Sequence, residues 1–191
     1  MVDDEVLRLY EDLGVVLHGH FLLTSGKHSP TFLQCSMVMQ HPVHLERLCR
    51  ELAGRLGRPR VECVAGPAMG GVLLAYEMAR ALGARAIYAE KGEGGLELRR
   101  NFRLSCGERC IVVEDAVTTG GSTTKVMELV RGQGAEVAGV GVLVDRSGGK
   151  VDFGVPFAAM LRLEVPAYEP DSCPLCAAGA PLTRPKSAGA K

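Results

Sequence analysis

Between Val61 and Val144 the chain repeats one pattern, which limits the possible folds more than any other feature of the sequence. Residues 61–65 form a short apolar run, followed by Gly66-Pro67-Ala68-Met69-Gly70-Gly71 and a helical stretch over 72–82. Residues 85–89 read as a second strand, 110–113 as a third, and 137–144 as a fourth that ends at Asp145-Arg146-Ser147. A helix follows the third strand and its loop, running to about Arg131. Strands alternating with helices in this way predict an α/β fold, a parallel sheet with helices on both faces. Ligands of such sheets bind outside the carboxyl ends of the strands, which is where Gly66, Glu114 and Asp145 fall.

The amino-terminal third reads differently. Val6, Leu9, Tyr10 and Leu13 recur at helical spacing behind Asp3 and Asp4, and Gly14 ends that helix. Residues 15–40 read as short extended pieces around a turn at Ser25-Gly26. His41-Pro42 opens a second helix with Leu45, Leu48, Cys49, Leu52 and Leu56 on its apolar face, and proline suits the first turn because its missing N–H costs nothing there. We expect one domain over residues 1–170, including a small amino-terminal hood, and a tail over 171–191 that carries a CxxC pair. The tail is rich in Pro, Ala and Gly and is expected to lie on the surface or fray.

Composition removes several classes. Lys plus Arg number 22, as do Asp plus Glu, which argues against a dedicated nucleic-acid binder with its strongly basic face, though a local anion site is not excluded. The acidic start MVDDEVLRLYED lacks the basic segment and apolar core of a signal peptide, and no apolar run approaches the roughly 18 residues that span a bilayer. The expectation is a soluble, cytoplasmic protein with no membrane partner. Seven cysteines in apolar contexts favour reduced thiols over a disulfide framework. The 24 glycines against 5% aromatics suggest loops that bring backbone close to a ligand.

The chemistry concentrates in Ile111-Val112-Val113-Glu114-Asp115-Ala116-Val117-Thr118-Thr119-Gly120-Gly121-Ser122-Thr123. A buried strand runs into two carboxylates, then into a loop of hydroxyl and glycine residues at a helix start. Backbone N–H groups and the positive end of a helix dipole bind phosphate there. Carboxylates repel phosphate, but they accept hydrogen bonds from sugar hydroxyls or meet a metal that bridges hydroxyls and pyrophosphate. A phosphorylated sugar accounts for both halves of the segment. The charged, glycine-rich stretch 91–103 suits an exposed mobile lid. His18-x-His20 and His41-x-x-His44 lack companion ligands, and Cys173-Pro174-Leu175-Cys176 supplies only two of the roughly four ligands a structural zinc needs. Pairing of those cysteines across a dimer, or with Cys106 and Cys110, is an alternative to plain reduced thiols.

The 111–123 segment resembles the phosphoribosyl pyrophosphate signature of type I phosphoribosyltransferases. The chain as a whole resembles the orotate phosphoribosyltransferases. His20-Phe21-Leu22-Leu23-Thr24-Ser25-Gly26-Lys27-His28-Ser29-Pro30 is similar to their amino-terminal substrate element, residues 66–71 to their pyrophosphate loop, and Val144-Asp145-Arg146-Ser147 to the segment that supplies an arginine to orotate. The resemblance implies Mg²⁺, a homodimer, and transfer of ribose 5-phosphate from phosphoribosyl pyrophosphate to orotate in pyrimidine biosynthesis. It implies that phosphoribosyl pyrophosphate meets Glu114, Asp115, Ala116, Val117, Thr118, Thr119, Gly120, Gly121 and Ser122 together with Ala68 and Met69. Within that set Thr118–Ser122 would hold the 5′-phosphate and the acid pair the ribose hydroxyls. Asp115 would also reach Mg²⁺ indirectly, through a metal-bound ligand. Orotate would meet Thr118, Arg146, Lys27, Phe32 and Leu33, and Lys91, Arg99 or Arg100 would serve the pyrophosphate beside Asp115 in catalysis. Some family members carry lysine where this chain has Thr24 and Gly70, and a Lys–His cluster in the lid. The arginine pair here is similar to a bacterial and archaeal subtype, which often ends in a similar Cys-Pro-Leu-Cys.

Two rival readings stand beside this one. A purine phosphoribosyltransferase would share the phosphate motif but not the Leu23-Thr24-Ser25-Gly26-Lys27-His28-Ser29 element. A non-catalytic sensor of phosphoribosyl pyrophosphate would carry a nucleic-acid-binding module, which neither the motifs nor the zero net charge supports.

Overall fold

A computed structural model describes residues 1–23 and 25–185; Thr24 and the last six positions of the tail lie outside the described residues. The chain opens with α1 (Asp3–Asp12), whose Val6 and Tyr10 are fully buried, and then forms an antiparallel hairpin of β1 (Val16–Leu22) and β2 (His28–Leu33). A single turn, α2 (Ser36–Met39), leads to α3 (Pro42–Arg55), which starts on its proline and buries Leu45, Leu48, Cys49 and Leu52 as the periodicity predicts.

The main sheet follows: β3 (Cys63–Pro67), α4 (Gly70–Leu82), β4 (Arg85–Gly92), β5 (Gly95–Leu98), β6 (Arg109–Val117), α5 (Gly121–Gly132), β7 (Glu136–Asp145) and β8 (Phe157–Arg162). Its order is β5-β4-β3-β6-β7-β8, parallel except for β5 at one edge. The α/β expectation is met. Successive strand residues face opposite layers. Val64, Ile111, Val113 and Leu143 join one core with Leu48, Leu52 and Leu74. Ala65, Val112, Val140 and Val142 join another with Val126, Met127 and Val130. Burial on both sides is why these strands read as continuous apolar runs rather than alternating ones.

The chain leaves β3 toward one edge of the sheet and returns to pair β6 on the other side of β3. That reversal opens a crevice at the carboxyl ends of β3 and β6, where open α/β sheets take their ligands.

Two expectations need correction. No strand is expected from Phe-Ala-Ala-Met-Leu-Arg, yet β8 forms there; the run has no β-branched residue, so local preference is weak, and pairing with β7 supplies the structure. Residues 91–103 are not a free loop through their length, because β4 runs on to Gly92 and turns into β5. Of the two alternatives for the tail, its described part lies on the surface and is tied to the hairpin rather than frayed. Just ahead of the tail Tyr168 exchanges two backbone hydrogen bonds of 2.8 Å with His28 at one edge of the hairpin, while at the other edge the tail itself pairs, with Leu22 N–H donating to Thr183 O (2.9 Å) and Thr183 N–H to His20 O (2.8 Å). All seven cysteines are free thiols, five of them buried. Among the described residues no helix is long and apolar enough to cross a membrane.

Candidate active site

The acid pair stands inside the strand rather than after it. β6 extends to Val117, so Glu114 and Asp115 point to opposite faces of the sheet edge. Glu114 is buried toward α5, where its Oε2 accepts hydrogen bonds from Ser122 Oγ (2.8 Å) and Thr123 Oγ1 (3.4 Å). Burial pushes its carboxyl up to about 7, against the pull of the Ser122 hydroxyl. Burial also raises Asp115, whose Oδ1 accepts the Ala116 N–H at 2.8 Å. The Ser122 hydroxyl is therefore spent on Glu114. What the 118–122 turn offers an anion is its backbone N–H groups and the exposed hydroxyls of Thr118 and Thr119. Gly120 sits at φ +78°, and a side chain there would press on Phe153 and Val151 at 3.1 Å, so the turn into α5 requires glycine.

The loop after β3 closes the other side. Ala68 N–H donates to Ala89 O at 2.7 Å, the Ala68–Met69 peptide is cis, and Met69 is exposed. A Cβ on Gly70 would lie 2.8 Å from Asp115 Oδ2, so the absent side chain lets the loop touch the carboxylate.

Between these loops lies a cavity of about 590 Å³ lined by Ala68, Gly70, Lys91, Glu114, Asp115 and Lys125, with Ser122 at its wall. Two ammonium groups thus share a crevice with the acid pair. Lys125 escaped the sequence reading. It stands three residues after Ser122 on α5, one turn along the same face, and that spacing was the available signal. Of the three basic candidates on the β4–β5 hairpin, only Lys91 lines this cavity. Arg100 pairs with Glu90 at 2.6 Å and lies over the Tyr88 ring, and Arg99 pairs with Glu97 at 3.3 Å. Both pairs are exposed and hold these arginines weakly.

The residues expected around orotate lie outside that cavity. Arg146 follows Asp145 at the end of β7, with its N–H on Val117 O at 2.7 Å. Its guanidinium is half-buried, which lowers its pKa, and its buried Nε has no hydrogen-bond partner among the described residues. Cys35 neighbours it and places its thiol 3.6 Å from Asp115 O, which ties the hood to the end of β6. Phe32 and Leu33 stand on β2, Phe32 against Phe21 with ring centroids 5.8 Å apart. Lys27 reaches Glu169, just ahead of the tail, at 2.7 Å. The paired histidine readings do not form sites: His18 meets Glu11, His41 and His44 meet edge to face, and His20 joins His28 and the tail cysteines. Neither Cys106 nor Cys110 joins Cys173 and Cys176.

Residues 43–153 match the phosphoribosyl transferase domain family. The chain is 52% identical over 187 residues to the orotate phosphoribosyltransferase of Caldanaerobacter subterraneus subsp. tengcongensis, covering 98% of each chain. It belongs to the orotate phosphoribosyltransferase family. The family member of Thermotoga petrophila is 48% identical over 186 residues, covering 97% of this chain and all of that one. Among solved structures, the orotate phosphoribosyltransferase of Aeropyrum pernix superposes with a TM-score of 0.70 at 28% identity, over 83% of this chain and 94% of that one. An adenine phosphoribosyltransferase from Thermoanaerobacter pseudethanolicus shares the fold, with a TM-score of 0.59 at 21% identity over 70% of this chain and 88% of that one.

Proposed function

We propose that this chain transfers ribose 5-phosphate from phosphoribosyl pyrophosphate to orotate, giving orotidine 5′-phosphate and pyrophosphate. The observation that carries the reading is Arg146: a half-buried guanidinium with an unpartnered Nε, one strand over from the acid pair, where a planar carboxylate matches its fork. The C1′–O bond breaks toward the pyrophosphate, which leaves with the electron pair, while an orotate nitrogen approaches the opposite face. Positive charge grows on the ribose and negative charge on the leaving group. Glu114 and Asp115 accept ribose hydroxyls, the 118–122 turn holds the 5′-phosphate, and Lys91 and Lys125 face the leaving group with the 66–71 backbone.

Mg²⁺ fits this crevice, because Asp115 spends one carboxylate oxygen on Ala116 and turns the other toward Gly70 and the cavity. Such hard oxygen donors, with substrate phosphates, suit that ion. When bound, it would neutralise charge on the pyrophosphate, held by substrate oxygens and through a bound ligand by Asp115.

A homodimer completes the proposal. Met69, Leu73 and Tyr76 lie at helical spacing on and before α4 and are 83%, 53% and 67% exposed, an apolar stripe suited to a second copy. Arg99 and Arg100, outside their own chain's cavity, would serve the neighbour's site. Mixing an Arg99→Ala, Arg100→Ala subunit with an Asp115→Asn subunit should restore activity if sites are shared; no recovery after confirmed subunit exchange would give each hairpin to its own site. We place the enzyme in the cytoplasm.

The reaction is tested by mixing the protein with Mg²⁺, phosphoribosyl pyrophosphate and either orotate or adenine. Loss of orotate absorbance with stoichiometric pyrophosphate supports the reading. Turnover of adenine alone would move the chain to the purine enzymes, and binding without turnover of either base would make it a sensor.

A further inference from the structure

Away from the crevice, four side chains from opposite ends of the chain converge. His20 on β1, His28 at the start of β2, and Cys173 and Cys176 of the tail each offer one donor atom, and those atoms all lie within 4.8 Å of one another. His20 Nε2 is 3.0 Å from His28 Nδ1, 3.6 Å from Cys173 Sγ and 3.7 Å from Cys176 Sγ, and Cys176 Sγ is 3.3 Å from His28 Nδ1. We propose that this cluster is a structural zinc site that clamps the tail onto the hood.

The spacing is that of a tetrahedron. With Zn–N about 2.0–2.1 Å and Zn–S about 2.3 Å, tetrahedral edges come to about 3.3 Å between nitrogens, about 3.5 Å between nitrogen and sulfur and about 3.8 Å between sulfurs. The four separations lie close to those edges. The donor set is also zinc's own: two imidazoles and two thiols, with no carboxylate, is the composition of closed structural sites and unlike the oxygen shell that Mg²⁺ demands.

The outer contacts fit as well. His20 Nδ1 lies 2.9 Å from Ala180 O, and donation to that carbonyl leaves Nε2 as the lone-pair nitrogen facing the cluster. His20, His28 and Cys173 are buried, whereas Cys176 at the end of the group is exposed and gives an ion a way in. Cys173 caps and Cys176 stands within a four-residue helix, α6 (Pro174–Ala177), too short to be stable by itself.

The tail also needs a fastening. After Leu161, Cys173 is the one buried residue among those described, so apolar burial cannot hold this segment to the hairpin. A metal can, since binding free energy at such a site becomes folding free energy. Loading takes one Zn²⁺ and releases two thiol protons; the two thiolates then balance the ion's charge while both imidazoles stay neutral. None of the four side chains lines the crevice, so the ion is structural. Its reach toward function is mechanical: it fixes the strand that carries Phe32 and Leu33, and the tail that follows Glu169, the partner of Lys27.

The test uses the full-length, untagged protein purified under reducing conditions, with metal read by mass spectrometry. The expected content is about one zinc per chain. Cobalt(II) in its place should give the strong d–d bands of a tetrahedral ion and a thiolate charge-transfer band. Chelation of the wild-type protein should lower Tm by several degrees and expose the tail to protease, both reversed by zinc, so the test does not depend on a variant folding. Cys173→Ser, Cys176→Ser and the milder His28→Gln should lose the cobalt bands. No metal in reduced protein, octahedral cobalt spectra, bands that survive in the double variant, or a Cys173–Cys176 disulfide in freshly isolated protein would each overturn the site. These readouts leave the orotate assignment untouched, since none of them measures turnover.

Discussion

The crevice at the carboxyl edge of the sheet and the junction of hood and tail are both built from a few polar side chains, but they are assembled in opposite ways. In the crevice the acid pair, the phosphate turn and Lys125 all come from one stretch of 12 residues beginning at Glu114, and the fold has only to place that stretch beside the 66–71 loop. At the junction, His20 and Cys176 stand 156 positions apart, and nothing local relates them. The first region stores its chemistry in sequence and uses the sheet as a rigid mount. The second exists only once the chain has closed on itself. Changes to the crevice groups that face the substrate should therefore cost turnover and spare stability, changes at the junction should do the reverse, and the buried Glu114 is the crevice group that bears on both.

The largest expected effect is at Asp115. Asp115→Asn should lower kcat/KM by about 100-fold or more, the upper end of what losing a charge-assisted contact costs, with Tm nearly unchanged. A large loss of Tm with normal turnover would erase the contrast between the two regions.

Next comes the pH dependence of stability, which Glu114 should dominate. Burial pushes its carboxyl up to about 7 in the folded protein, from the 4.5 of an ordinary glutamate. Between those values the folded state holds a proton that the unfolded state has lost, so stability falls as pH rises from about 4.5 to about 7 and stays low above it. At roughly 1.4 kcal/mol for each pH unit of that window, the loss is on the order of 3 kcal/mol. Glu114→Gln should flatten the curve, as urea unfolding at several pH values would show; an equally steep curve in the variant would assign the effect elsewhere.

Smaller still, Gly70→Ala should reduce turnover by about 10-fold, because a Cβ there would displace the Asp115 carboxylate, and small displacements of a positioned group are costly. Wild-type kinetics would mean the loop and the acid need not touch. The smallest effect is expected at the exposed Lys125: Lys125→Ala should raise the KM for phosphoribosyl pyrophosphate by about 2–5-fold, in keeping with a partly screened charge, and more at low salt than at high. An unchanged KM at low salt would remove Lys125 from the site.

The same contrast explains how much could be read in advance. The strand–loop–helix alternation, the acid pair and the Gly120 turn are local, and they were legible. So was the helix that starts on Pro42. β8 was not, because its alanines and methionine carry no strand preference and form a strand only against β7. The end of β6 was placed four residues early, since charged Glu114 and Asp115 look like a loop until the crevice gives them an environment. The His–Cys cluster was invisible because one CxxC and scattered histidines supply half a site each. Lys125 was missed because a lone lysine on a helix face looks like any solvated charge.

The central claim is that the crevice serves orotate and that Arg146 reads its carboxylate. Steady-state kinetics of Arg146→Ala, with each substrate varied in turn, tests it most directly. Losing a charge-assisted contact of this kind costs on the order of 1.5–3 kcal/mol, so the orotate KM should rise by roughly 10–100-fold. The KM for phosphoribosyl pyrophosphate should barely move, and Arg146→Lys should recover only part of the loss, because an ammonium keeps the charge without the fork. A rise in the phosphoribosyl pyrophosphate KM with an unchanged orotate KM would contradict the account and assign Arg146 to the pyrophosphate.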